Sequence, residues 1–389
     1  MNPLDGAAPF RPRLYAPGPV AVPPEVLAAL ALPVVHHRTE AFRSLFRRVR
    51  AQLAEVVGVP GDDVLLLTGS GTTAFEAALL AAVPAGGRVL ALRGGKFGDR
   101  WAAMARAFGY RVDELDVAWG RAFDPAEVSA RLRELPAPDA VTVVHSETST
   151  GVLHDVAALA RALREAAPEA LVLVDAVTSL AAAELRPRAW GLDAVVAGSQ
   201  KGVMLPPGLG FAWLSERAWA RVADPAARVP AYTLDLHRER RRQREGDSGV
   251  TPATSLIVAA EVALGLLAAE GLEARWRHLE RRNRAVLAAG AALGATVFAE
   301  RVSPAVAALR TPAGVDAPAL VRALAERGVR IAGGQDQLKP FLLRPSLLGH
   351  ADDYDAVVVA AALEDAWRAV GRPAAPGAAV AAAMAALAA

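Results

Sequence analysis

Apolar residues fall along this chain in short blocks separated by stretches of helical period. The blocks run from Val64 to Leu67, Arg88 to Leu92, Ala140 to Val144, Ala170 to Val174, Leu192 to Ala197 and Gly210 to Leu214, and each ends at a turn or small residue. Between them, Thr73 to Val83, Asp99 to Phe108, Pro125 to Leu135 and Val156 to Ala166 repeat their apolar positions at helical spacing. Strands spaced by helices predict parallel pairing in a sheet covered on both faces. The stretch from Gly208 to Leu214 is predicted as the odd strand, because it follows Ala194 to Ala197 too closely for a crossover helix.

After Thr254 the texture changes. Helical stretches cover Ser255 to about Ala269 and Glu273 to Ala292. Strand-like pieces follow at Ala295 to Phe298, Ala305 to Arg310, Val329 to Ala332 and Phe341 to Arg344, with helices at Pro318 to Arg327 and Ala351 to Val370. This reads as a smaller α+β domain joined by a long helix. The expected division is an N-terminal segment over 1–20, a large domain over 21–254, a linking helix and small domain over 255–380, and a tail over 381–389. The charged run from His237 to Glu245 is read as a solvated helix face. The Ala-rich end from Pro373 is read as a loose helix or disorder, with no chemistry assigned.

Composition narrows the class. With 389 residues the chain is too long for one small core, and 53% apolar against 22% charged residues fits a globular protein. A formal charge of +2 makes no case for nucleic acid or an acidic membrane surface. The first twenty residues lack an apolar leader, and the apolar run from Ser255 to Leu267 is interrupted by Glu261 and too short to cross a bilayer. A cytoplasmic protein without a membrane partner is the expectation. There is no cysteine, which excludes disulfides, thiolate metal sites and cysteine nucleophiles.

Four constellations carry candidate chemistry, all at the carboxyl ends of predicted strands, where open α/β sheets bind ligands. Gly69-Ser70-Gly71-Thr72-Thr73 opens a helix, so its amides suit a phosphate, and equally a plain Ser or Thr cap. It matches neither a dinucleotide fingerprint nor a nucleoside triphosphate loop. Trp101, in Lys96-Phe97-Gly98-Asp99-Arg100-Trp101, either lies flat on an aromatic ligand or belongs to the core of an amphipathic helix. The hydroxyls of Ser146-Glu147-Thr148-Ser149-Thr150 either bond a ligand or cap a turn. Asp175 ends one strand, and Lys201 closes Gly198-Ser199-Gln200-Lys201-Gly202 after the next. An acid that keeps a pyridine nitrogen protonated and a lysine that forms a Schiff base are what pyridoxal phosphate asks of a protein.

These motifs, with Pro17-Gly18-Pro19 and His37-Arg38-Thr39-Glu40, resemble in order those of the class V aminotransferases of fold type I. Within that family the chain is similar to the alanine–glyoxylate and serine–pyruvate aminotransferases and to small-subunit proteins once linked to soluble hydrogenases. The resemblance runs from Ala16 to Gly349. It implies an α/β fold with a mostly parallel seven-stranded sheet, a smaller α+β domain, and pyridoxal 5'-phosphate as cofactor.

The resemblance also implies roles for residues. Lys201 would carry the Schiff base and shuttle the proton. Asp175 would pair with the pyridinium, and Ser70, Gly71, Thr72 and Gln200 would hold the phosphate. Trp101 would stack on the ring and Thr148 would bond its phenolic oxygen. Arg344 would grip the substrate carboxylate. Thr251 would reach the phosphate in a partner subunit, which implies a homodimer with shared sites. The implied reaction passes an amino group from alanine or serine to a 2-oxo acid such as glyoxylate or pyruvate. The same residues suit a lyase or epimerase of this fold, and a subunit that kept the fold without catalysis is the remaining alternative. A cysteine desulfurase is excluded by the missing nucleophile.

Overall fold

The computed structural model describes residues 12–389, so residues 1–11 of the expected N-terminal segment lie outside the described residues. Seven strands build the central sheet: β1 Val64–Thr68, β2 Arg88–Arg93, β3 Arg111–Asp116, β4 Ala140–Val144, β5 Leu171–Asp175, β6 Ala194–Gly198 and β7 Leu209–Leu214. Their order is β1-β7-β6-β5-β4-β2-β3. All neighbouring pairs are parallel except those of β7, which runs antiparallel to both β1 and β6. This is the odd strand expected from the short connection after Ala197.

The inner strands are apolar at nearly every position because both faces are covered. In β1, Val64 and Leu66 face a core shared with the helices Glu40–Val57 and Thr254–Glu270. Leu65 and Leu67 face the opposite core, which holds helices α1 (Gly71–Ala82) and α2 (Lys96–Ala107). The alternation is the period-two geometry of a strand.

β3 was not foreseen from the apolar pattern. Its sequence, Arg-Val-Asp-Glu-Leu-Asp, holds no apolar block, because an edge strand with exposed faces does not need one. Charged pairs tie it to β2 instead, Arg88 to Asp113 and Arg93 to Asp116, each at 2.7 Å.

The other edge, β1, is closed by the charged run, which corrects its reading as a solvated face. The run forms helix Leu236–Arg244 with Glu239 and Gln243 buried. The Gln243 amide donates to the Leu66 carbonyl (2.6 Å) and accepts from Leu66 N–H (3.1 Å), completing the unpaired edge. Arg240 and Arg244 meet Arg50 at one carboxylate, Asp63.

A second, antiparallel sheet joins Thr296–Val297, Leu309–Arg310, Leu342–Arg344 and Ala332–Gly333 in that order. The stretch expected as one strand over Val329 to Ala332 divides. Val329–Arg330 pairs instead with Arg13–Leu14, so the N-terminal segment is laced to the smaller body. The chain end is neither loose nor a separate tail. Ala378–Ala388 is a helix whose Ala379 and Ala383 are fully buried in the core of the smaller body, and the expected boundary at 380 falls inside it. Among the described residues no single helix is long and apolar enough to cross a membrane.

Replacing Gln243 by leucine keeps the volume but leaves the buried N–H and C=O of Leu66 unpaired. Stability is expected to fall by about 2 kcal/mol, read as a lower urea midpoint at unchanged slope. An unchanged midpoint contradicts the edge-closing role.

Candidate active site

The carboxyl ends of β1, β4, β5 and β6 surround a cavity of about 290 Å³. It brings together Ser70, Gly71, Thr72, Thr148, Asp175, Gln200 and Lys201, which the chain scatters over more than a hundred positions. The first three open α1. Ser70 Oγ accepts from Thr73 N–H (3.3 Å), and Thr73 Oγ1 accepts from Ser70 N–H (3.1 Å). This reciprocal cap leaves the amides of Gly71 and Thr72 at the positive end of the helix dipole, beside the cavity. A Cβ on Gly71 would lie 2.6 Å from Val177 Cγ2, so only glycine lets the helix start approach this closely. The Gln200 side chain adds an amide whose Oε1 is buried with no hydrogen-bond partner among the described residues.

Asp175 ends β5 fully buried, and its carboxylate accepts one hydrogen bond among the described residues, from Val177 N–H at 2.8 Å. Burial pushes its pKa up to about 8. The Val177 amide opposes the rise, the Glu147 carboxylate adds to it, and Lys201 and Arg100 oppose it. Burial acts in the opposite sense on Lys201, bringing its amine down to about 8. Asp175 resists this, and Arg344 and Arg100 reinforce it. Each group is thus held near neutrality by desolvation.

Lys201 Nζ donates to the Pro17 carbonyl. Gly18, at φ +121°, has no room for a side chain, since a Cβ would meet Lys201 Cε at 2.4 Å. The N-terminal segment therefore lies directly on the lysine. Thr148 Oγ1 shares a 2.6 Å hydrogen bond with Thr178 Oγ1, which also lines the cavity.

Three expected site residues lie outside the lining. Trp101 is the correction. It is buried in the core, packed flat on Phe75 with ring centroids 4.4 Å apart, one turn deeper along α2 than the cavity. The aromatic ring of α2 that borders the cavity is Phe97, with the Arg100 guanidinium 4.9 Å from its centroid. Arg344 is buried behind the cavity, where its Nε donates to Gly333 O and an Nη to Thr148 O, both at 2.8 Å. Burial lowers its pKa to about 10, opposed by Glu147, so it stays charged at neutral pH. Thr251 is exposed, just before helix Thr254–Glu270.

Sequence reasoning missed Phe97, Val177, Thr178, Arg100 and the buried Glu147. Glu147 accepts from the amides of Phe97 (3.1 Å) and Gly98 (3.2 Å), which fastens the start of α2 to the loop that carries Thr148. The signal for Val177 was available, since it stands two residues after Asp175 on the segment leaving β5.

A family model described as aminotransferase class-V matches residues 25–349. The chain is 39% identical over 356 residues to the soluble hydrogenase 42 kDa subunit of Anabaena cylindrica, covering 90% of this chain and 92% of that protein. It is 31% identical over 367 residues to the serine–glyoxylate aminotransferase of Methylorubrum extorquens, covering 92% and 90%. Among solved structures it is similar to an aspartate aminotransferase from Thermus thermophilus, at TM-score 0.86 and 41% identity over 92% of this chain and 99% of that one.

The depressed Lys201 pKa makes a pH prediction for the cofactor-free protein. Its amine should react with an amine-directed reagent with a midpoint near pH 8, well below the ordinary 10.5 of lysine. Because the folded pKa is the lower one, between these two values the unfolded chain holds a proton that the folded chain has lost. The Lys201 contribution to stability therefore rises with pH across that window. Site-resolved labelling by mass spectrometry checks the midpoint, and one near 10.5 contradicts the buried placement.

Proposed function

The chain belongs to the class V aminotransferases, and on that premise we propose that it moves an amino group from a small amino acid, alanine or serine, to glyoxylate or pyruvate. Its fold is that of the fold type I pyridoxal-phosphate enzymes. The observation that carries the reading is the pairing of Asp175 and Lys201 in one cavity, each held near neutrality by burial. The sizes of donor and acceptor rest on the names of the relatives and on the small cavity.

Pyridoxal phosphate is the cofactor of the family, and the residues present fit it. The N–H groups that open α1, with the Nε2 donor of Gln200 beside them, suit a phosphate, and Asp175 suits a protonated ring nitrogen. Phe97 and Val177 border the space a flat ring would take, and the Thr148–Thr178 hydroxyl pair suits a phenolic oxygen. When bound, the cofactor supplies an electron sink for the electron pair left as the substrate's α C–H bond breaks.

The chain's own groups do the rest. Lys201, whose pKa near 8 makes its unprotonated amine accessible close to neutral pH, would take the α proton at Nζ and return it two atoms along. Asp175, ionised beside a cationic ring nitrogen, would hold that nitrogen's proton by charge. Arg344 spends two of its five N–H groups on Gly333 and Thr148 and has three left for an α-carboxylate. Water is restricted because Pro17 and Gly18 lie over the lysine.

The same reading makes the active unit a homodimer, with Thr251 serving the phosphate of the partner's site. Two features support this. Thr251 is exposed and lies outside the cavity of its own chain. Leu27, Leu32, Val34 and Val35 also leave an apolar run on the surface, with Val34 80% exposed.

An amino-donor and keto-acceptor panel on purified protein tests the reaction through cofactor absorbance. Stoichiometric conversion to the pyridoxamine form by alanine or serine is expected, whereas loss of substrate without that conversion would point to a lyase or epimerase. Lys201→Ala should lower kcat by about four orders of magnitude or more, the upper range for general acid–base catalysis; unaltered turnover would falsify the assignment. Val34→Asp should shift the mass seen by light scattering from two chains to one and weaken cofactor retention.

A further inference from the structure

A buried arginine that touches no part of the cavity binds the backbone just beyond Lys201, Asp175 and Arg344. Arg275, on the helix Leu272–Ala292, is 3% exposed. Its Nε donates to the carbonyl of Ala181 (3.2 Å). One Nη donates to the carbonyls of Gly202 (3.3 Å) and Leu348 (2.9 Å), and the other pairs with Glu270 (3.0 Å). Gly202 directly follows Lys201. Ala181 closes the segment that begins at Asp175 and carries Val177 and Thr178. Leu348 lies four residues beyond Arg344, on the run that leaves the smaller sheet.

Burying a guanidinium costs several kcal/mol unless its donors are satisfied, so a buried arginine is a poor choice for mere space-filling. Here three of the bonds go to backbone carbonyls, which no substitution in those segments can remove, and the fourth goes to Glu270. The backbone at the anchor points is strained. Among the described residues three non-glycine residues have positive φ, and two of them stand here, Ala181 and Met204, both at 59°. Ala181 is itself an acceptor of Arg275, and Met204 N–H donates to Lys201 O (2.9 Å), closing the turn that contains Gly202. That turn is pressed against the Asp175 segment, since a Cβ on Gly202 would lie 2.2 Å from Leu180 O. Strain of this kind persists only where the surroundings over-determine the conformation.

We propose that Arg275 is a positioning residue for the amino transfer, its guanidinium holding the Lys201 turn, the Asp175 segment and the Arg344 segment in one fixed arrangement across the two sheets. The proposal rests on the roles given above to Lys201 and Arg344. Loss of its contacts lets the amine and the carboxylate clamp drift apart by a fraction of an ångström to an ångström, a displacement that costs up to about a hundredfold in rate.

The test compares Arg275→Lys and Glu270→Gln with the parent protein, each loaded with pyridoxal phosphate. Lysine keeps the charge but cannot reach three carbonyls in a planar fork. Glu270→Gln removes the counter-charge and leaves the three carbonyl bonds. For Arg275→Lys, kcat/KM is expected to fall about tenfold or more, with KM for the amino donor raised. The pH midpoint of the bound-cofactor absorbance should move, and the cofactor-free protein should capture pyridoxal phosphate more slowly. Glu270→Gln should stay near the parent in all of these.

Parent values of kcat/KM and absorbance midpoint in Arg275→Lys overturn the proposal, as do losses that only track the folded fraction in both variants. If Arg275→Lys does not fold, Ala181→Gly with Met204→Gly decides, because it relaxes the held backbone. Lower kcat/KM with an unchanged or higher unfolding midpoint supports the proposal, and unchanged kcat/KM overturns it. An inactive parent with an unreactive Lys201 would instead strike the aminotransferase reading itself.

Discussion

Two opposite charges brought out of water into one cavity, Asp175 and Lys201, are the constraint on which the rest of the molecule depends. Desolvation drives both toward their neutral forms, and their mutual attraction only partly resists it. A site in this condition is poised for a ligand that offers a cationic ring nitrogen to the acid and a carbonyl carbon to the amine. Asp175 ends β5, and Lys201 stands on the short turn after β6, both strands fully buried at the centre of the sheet.

The surrounding structure can be understood as what it takes to keep that pair buried and aimed. The N-terminal segment is laced to the smaller body through Arg13–Leu14 and then crosses to place Pro17 and Gly18 on the lysine. Arg344 crosses the other way, from the smaller sheet to the Thr148 carbonyl. Glu147 fastens the start of α2 to the Thr148 loop from within. The two bodies thus meet through directional hydrogen bonds at the cavity rather than through apolar contact alone. Directional bonds of this kind fix distance and angle together, as a reaction needs.

Much of this was legible in the residues. Apolar blocks marked every inner strand, because strands buried on both faces carry apolar side chains at every position. The short connection after Ala197 marked the antiparallel strand. The elements missed or misread are the ones whose partners, not their own composition, make them ordered. β3 is held by cross-strand ion pairs with β2. Helix Leu236–Arg244 is half buried because Gln243 answers an unpaired strand edge far away in sequence. The last helix is alanine-rich and lacks a strong apolar face, so only the groove against helices Leu272–Ala292 and Asp353–Ala369 makes it part of a core.

The choice between Phe97 and Trp101 shows where the sequence stopped. By itself it determined the fold class and put a lysine, an acid and a helix start at neighbouring strand ends, because those depend on local periodicity and on the rule that parallel strands present their carboxyl ends together. Which aromatic ring meets the cavity was left to the tertiary structure. Residues four apart share one face of a helix and differ chiefly in depth along it, by about 6 Å at 1.5 Å per residue. Periodicity cannot tell one turn from the next. Only the packing of Trp101 on Phe75, and the height at which Glu147 anchors the start of α2, decide which ring is core and which is wall.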